Sequence, residues 1–188
     1  PVGKVLEFGH EQRGTKDIMK YKVFVVDTAV VPHTTEADLE GEVLRDCATV
    51  ELFHIGCEVD WARLADCADG LILWHQVDVT EETIQRLQRT RVIVRNGVGF
   101  ESVDVQAASK YRIPVCNVPD YGTEEVADHA MALCLALNRQ WKPLIEDVRQ
   151  GNWRFETGRA CRRTRGQVFG MIGCGRIGTA TALRAKAF

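Results

Sequence analysis

The sequence predicts an open α/β fold, a parallel sheet with helices on both faces. Three observations carry this. From Tyr21 onward, short β-branched runs alternate with amphipathic stretches. The amphipathic stretches are long enough to cross between parallel strands. Near the end of the sequence, an apolar run leads into G-x-G-x-x-G and a segment rich in small residues, the order strand, tight turn, helix.

In chain order, "YKVFVVDT" reads as the first strand, and "ATVELFHI", "ADGLILWH", "RVIVRN" and "IPVCNV" as four more. Between them "EADLEGEVLRDC", "DWARLADC", "TEETIQRLQ" and "SVDVQAASKYR" carry apolar residues at three- and four-residue spacing, which predicts helices, with Thr80 as a cap. After Pro119 the rhythm changes. "YGTEEVADHAMALCLALNRQ" places Thr123 at a cap position, Glu124 and Glu125 where the helix dipole favours acids, and then an apolar stretch to Leu137. That helix is expected to be covered on most sides, either across a domain boundary or inside one domain. "GNWRFETGRACRRTRG" reads as a loop with Trp153 and Phe155 tucked in, "QVFGMIG" as a strand and "RIGTATALRAKAF" as a helix.

Bulk properties narrow the function. The chain has 188 residues and a net charge of −2, with neither sign gathered into a block, so nucleic acid and anionic membrane are not expected partners. Its apolar runs fall far short of the roughly 20 residues of a membrane helix, which predicts a soluble protein. The seven cysteines include no CxxC pair and no histidine at metal-ligand spacing. They are expected to be free thiols in a reducing, cytoplasmic compartment, with no metal. The first 20 residues lack an initiator Met and the build of a signal peptide, and read as a partial start or a loose tail.

Two constellations carry chemistry. In the first, Gly173 permits a tight turn, Gly175 lets the backbone approach a pyrophosphate, and Gly178 lets the helix pack closely. Amides near Arg176 and Ile177 would point at the phosphates. The acidic residue expected about 20 positions further on, which distinguishes NAD from NADP, falls past Phe188. In the second, "VIVRNGVGFESVDV" places Asn96, Gly97, Val98 and Gly99 after a buried strand, at the end where open α/β sheets bind ligands. Either its backbone amides and Arg95 bind an anion, or the glycines merely shape a turn and Arg95 is solvated.

"VIVRNGVGFESVD", "VCNVPDYGTEEVADHAMAL", "GNWRF" and "RGQVFGMIGCGRIGTATALRAKAF" together resemble successive landmarks of the D-2-hydroxyacid dehydrogenases, particularly the branch similar to the C-terminal-binding proteins. The resemblance implies a flavodoxin- or Rossmann-like substrate domain followed by a second, NAD(P)-binding Rossmann domain. By it, residues 1–20 are a tail, 21–119 most of the substrate domain, and 120–188 the interdomain helix and the start of a truncated nucleotide domain. The chain is then an N-terminal fragment, inactive alone.

The resemblance also assigns roles. The turn at Val98 and Gly99 would hold the substrate carboxylate and border the nicotinamide, Arg95 would contact substrate, and His75 would face the cleft, although a packed surface histidine reads the same way. The arginine, the glutamate and the histidine of hydride transfer would all lie beyond Phe188. His129, beside Asp128, is therefore read as a packing residue, Glu124 and Glu125 as helix-dipole acids, and Cys174 as a variable position. Implied for the complete protein are NAD or NADP, a small 2-hydroxy or 2-oxo acid, and a homodimer. The alternative is a dinucleotide-sensing scaffold that recruits other proteins.

Overall fold

The computed structural model describes residues 20–188, which fall into two compact units that divide between Val118 and Pro119. The expected tail, apart from Lys20, lies outside the described residues. The first unit contains five strands: β1 (Tyr21–Thr28), β2 (Ala48–Ile55), β3 (Gly70–Leu73), β4 (Val92–Arg95) and β5 (Val115–Asn117). All pairings are parallel, in the order β2-β1-β3-β4-β5. The register aligns Val26 with Leu73 and Leu73 with Arg95, so β3 and β4 finish at one level and β1 runs on to Thr28 beyond it.

Four helices connect these strands: α1 (Asp38–Leu44), α2 (Glu58–Ala65), α3 (Glu81–Arg86) and α4 (Val105–Lys110). Right-handed crossovers send the chain one way from β1 to β2 and the other way from β2 to β3 and onward, so α1 lies opposite α2, α3 and α4. The core follows the second face. Leu64 of α2, Ile84 of α3 and Ala107 of α4 join Val26, Leu71, Leu73 and Ile93 of the sheet in one buried cluster. Each fully buried Leu or Ile contributes about 1.5–3 kcal/mol. Thr80 caps α3 as expected, accepting from the Thr83 N–H at 3.4 Å, and Asp104 caps α4 through the Ala107 N–H at 2.9 Å.

At the amino end of the sheet Asp69 accepts from the Lys22 N–H at 2.8 Å and from Arg89 Nε at 2.9 Å. The Arg89 guanidinium, then the Lys22 amide, hold its carboxyl below the usual carboxylate range. This pair ties the start of β1 to the approach to β4, and its role is structural.

The second unit is helical: α5 (Thr123–Asn138), α6 (Trp141–Arg149), a 3₁₀ turn at Phe155–Gly158, and α7 (Arg176–Ala185). Here several expectations fail. Gly122, not Thr123, precedes α5, because the Thr123 hydroxyl donates to Asp120 Oδ1 at 2.9 Å and leaves the helix amides without a side-chain cap. Only Ala127 and Met131 of α5 are buried, whereas Leu133 and Leu137 are 53% and 76% exposed. Among the helices of its unit α5 packs mainly on α6 and α7, too little to cover an apolar helix all round.

Trp153 and Phe155 are exposed rather than tucked in; Phe155 has the Arg159 guanidinium over its ring, at 5.3 Å. The segment 168–172 forms no strand, and Val168 and Ile172 are fully exposed. A strand exists by pairing its main chain with a neighbour, and the unit has no other strand among the described residues. The helix α6 had no counterpart in the sequence reading. It is fixed by a buried Asp147, which accepts from Thr157 Oγ1 at 2.8 Å, Asn152 Nδ2 at 3.2 Å and the Arg154 guanidinium.

Candidate functional site

In a sheet of this order the chain leaves β1 toward β2 and leaves β3 toward β4, so the loops after β1 and β3 diverge and open a crevice above the carboxyl ends of the strands. The turn after β4 borders the same end. Its backbone is tied on both sides. The Asn96 N–H donates to Leu73 O at 2.8 Å, Gly97 O accepts from the Val118 N–H at 2.9 Å, and Val98 O accepts from Asn117 Nδ2 at 2.8 Å. The N–H groups of Val98 and Gly99 donate to nothing among the described residues. Two adjacent unpaired amides on a fixed turn are what a carboxylate requires.

Arg95 is placed less simply. Its Nη1 donates to Asn96 O at 2.8 Å, folding the guanidinium over Gly97, while Nε is buried without a partner. An incoming anion can meet that unsatisfied donor. Glu101, an exposed acid, lies against Gly99 on the side a Cβ would occupy.

His75, one residue past the level of Trp74, stands at the crevice and makes no hydrogen bond among the described residues. Its ring centroid is 3.7 Å from that of His33, a residue the sequence reading did not single out. His33 comes from the loop after β1 and its Nδ1 lies 3.2 Å from Oδ1 of Asp27, the fully buried acid near the end of β1. Burial pushes the Asp27 carboxyl up, but the amides of Thr34 and His33, the His33 ring and the Thr28 amide outweigh it and hold it below the ordinary range. The signal in the sequence was the acid that ends the apolar run "VFVVD".

In the second unit, Gly173 has φ +91°, a conformation L side chains rarely adopt, and Gly175 caps α7. A Cβ on Gly178 would collide with the Gly173 carbonyl oxygen. The amides of Cys174, Gly175, Arg176, Ile177 and Gly178 have no acceptor among the described residues, and they open a helix whose dipole favours an anion. The residues present therefore fit the diphosphate of a dinucleotide. Arg176 Nη1 reaches Pro119 O at 3.4 Å, and Ile177 is 37% exposed.

His129 is exposed on α5, not packed, and Asp128 beside it is taken by Arg184 of α7, which also holds Glu124. These acids join two helices, a role beyond the helix dipole. All seven cysteines are free, no group of metal-ligating residues gathers among the described residues, and no described helix is long and apolar enough to cross a membrane.

A family model for the catalytic domain of D-isomer specific 2-hydroxyacid dehydrogenases matches residues 23–184. The chain belongs to this family. The chain is 32% identical over 180 residues to glyoxylate reductase of Pyrococcus furiosus, covering 90% of the chain and 51% of that protein. It is 31% identical over 160 residues to C-terminal-binding protein 1 of Caenorhabditis elegans, covering 81% of the chain and 22% of that protein. Among solved structures it is similar to D-lactate dehydrogenase from Aquifex aeolicus complexed with NAD and lactic acid, with a TM-score of 0.76 and 26% identity over 88% of this chain and 48% of that one. The chain thus spans about half the length of the glyoxylate reductase and less of the C-terminal-binding protein.

Proposed function

We propose that the whole protein transfers a hydride between NAD(P)(H) and a small 2-hydroxy or 2-oxo acid. The observation that carries this is the pair of unpaired amides of Val98 and Gly99 on a turn held at the carboxyl end of β4. Family membership and the similarity to enzymes named as glyoxylate reductase and D-lactate dehydrogenase support it.

In this reading residues 21–119 are the substrate domain and 120–188 begin the nucleotide domain. The Val98 and Gly99 amides hold the substrate carboxylate, Arg95 donates to it, and Asn96 and Gly97 keep the turn in place. His75 contacts the remainder of the substrate, and Val98 borders the nicotinamide. Gly173, Gly175, Arg176, Ile177 and Gly178 hold the diphosphate. When bound, the nicotinamide would supply or accept the hydride, and an arginine and a histidine held by a glutamate, which this reading places outside residues 1–188, would polarise the carbonyl and move the proton. The protein acts as a cytoplasmic homodimer.

The test is consumption of reduced nicotinamide by the full-length protein over a panel of small 2-oxo acids. Turnover is expected with at least one. The 31% identity to C-terminal-binding protein 1 supports a second reading, a dinucleotide-sensing scaffold. Absent turnover, with protein partners whose capture changes on adding NADH, would establish that reading instead.

A further inference from the structure

The crevice between the loops after β1 and β3 holds a cluster that the proposed chemistry does not use. Asp27 is fully buried and accepts the backbone amides of Thr28 at 2.8 Å, Thr34 at 2.9 Å and His33, so one carboxylate organises the loop after β1. The His54 ring closes the loop from β2, with Nε2 3.1 Å from Thr34 O. His33 Nδ1 faces the same carboxylate at 3.2 Å. A carboxylate only accepts, so Nδ1 carries the shared proton and the imidazole is fixed in orientation and tautomer. Its ring lies 5° from parallel with the Trp74 indole at a centroid separation of 6.4 Å, and 3.7 Å from the His75 ring at 52°.

His75 has no such anchoring. Neither ring nitrogen meets a partner among the described residues, and the next residue, Gln76, turns the chain away at φ +67°. What restricts its ring is contact with His33 and Trp74. We infer that Asp27 and His33 are positioning residues, which lock the His75 imidazole in its substrate-facing orientation before substrate arrives. The inference rests on the proposed contact between His75 and substrate. Ordering one free side chain at a binding site weakens affinity by about two- to twelvefold, and preorganisation removes that loss.

The experiment compares H33A, H33F, H75A and the double variant H33A/H75A in the full-length protein, by steady-state kinetics with the best 2-oxo acid and by NMR of the imidazole rings without substrate. H33A leaves the three backbone bonds to Asp27 in place, and H33F also keeps a ring against His75. H33A is expected to raise KM about three- to tenfold with kcat within about twofold, and H33F to raise it less. Adding H33A to H75A is expected to change KM by under about twofold, because the two act through one contact. The His75 ring resonances are expected to move in H33A. Multiplying effects in the double variant, or His75 resonances unchanged in H33A, would overturn the inference. A wild-type protein that turns over no 2-oxo acid refutes the proposed function, and the NMR comparison then still decides whether His33 sets His75.

Discussion

A methyl group on Gly178 is the smallest change that closes the proposed phosphate cradle. The added Cβ meets the Gly173 carbonyl, which is backbone and cannot swing aside as a side-chain tip would. Overpacking of this kind costs about 1–3 kcal/mol. Gly178→Ala in the full-length protein is therefore expected to weaken NADH binding by about 5- to 150-fold, as read by fluorescence titration. Gly170→Ala, whose Cβ meets nothing within 4 Å, is expected to leave it unchanged, and equal affinities in the two variants would refute the assignment. These glycines were legible because their contribution is the absence of a side chain, which the sequence states outright. Asp27 and His33 were not. The ring neighbours of His33, Trp74 and His75, lie over 40 positions away and meet it only because β3 pairs with β1 on the side opposite β2, and without them the bond from Asp27 to His33 has no visible purpose.

Among the elements, α4 follows the turn at 96–99 across residues 100–104 and is short, so its cap has a large share in holding it. Asp104→Ala removes the bond to the Ala107 N–H and is expected to cost about 1 kcal/mol in urea denaturation, whereas Asp104→Ser is expected to cost only a few tenths. Equal losses would mean that the carboxylate acts otherwise. All five strands of the first unit were legible, since parallel strands buried on both faces are written as β-branched runs. The elements misread lie in the second unit, and each has a physical reason. The helix α6 carries Pro143, which reads as a breaker although a first turn tolerates it. The run at 168–172 has strand composition, but composition cannot supply the partner that makes a strand. The apolar length of α5 was correctly read as helix and wrongly read as burial, because burial depends on what stands opposite.

Across the whole molecule, three largely buried carboxylates have pKa values below the ordinary carboxylate range: Asp27 and Asp69 in the first unit and Asp147 in the second. For Asp147 the Arg154 guanidinium leads and Thr157 follows. In each case the folded value lies below the unfolded value of about 3.9, so the stability is complete above that pH and is lost as pH falls through the folded values. Urea denaturation is expected to give a plateau from about pH 7 to 5 and a decline below about pH 4; stability that held or rose under acid would contradict these shifts. The sheet has a different exposure, to other chains. Its margin at β5 is three residues long and flanked by Pro114 and Pro119, neither of which has an amide hydrogen. A stray polypeptide seeking to extend the ladder there finds too few donors to dock, which guards this side of the protein against runaway self-association while it is being synthesised.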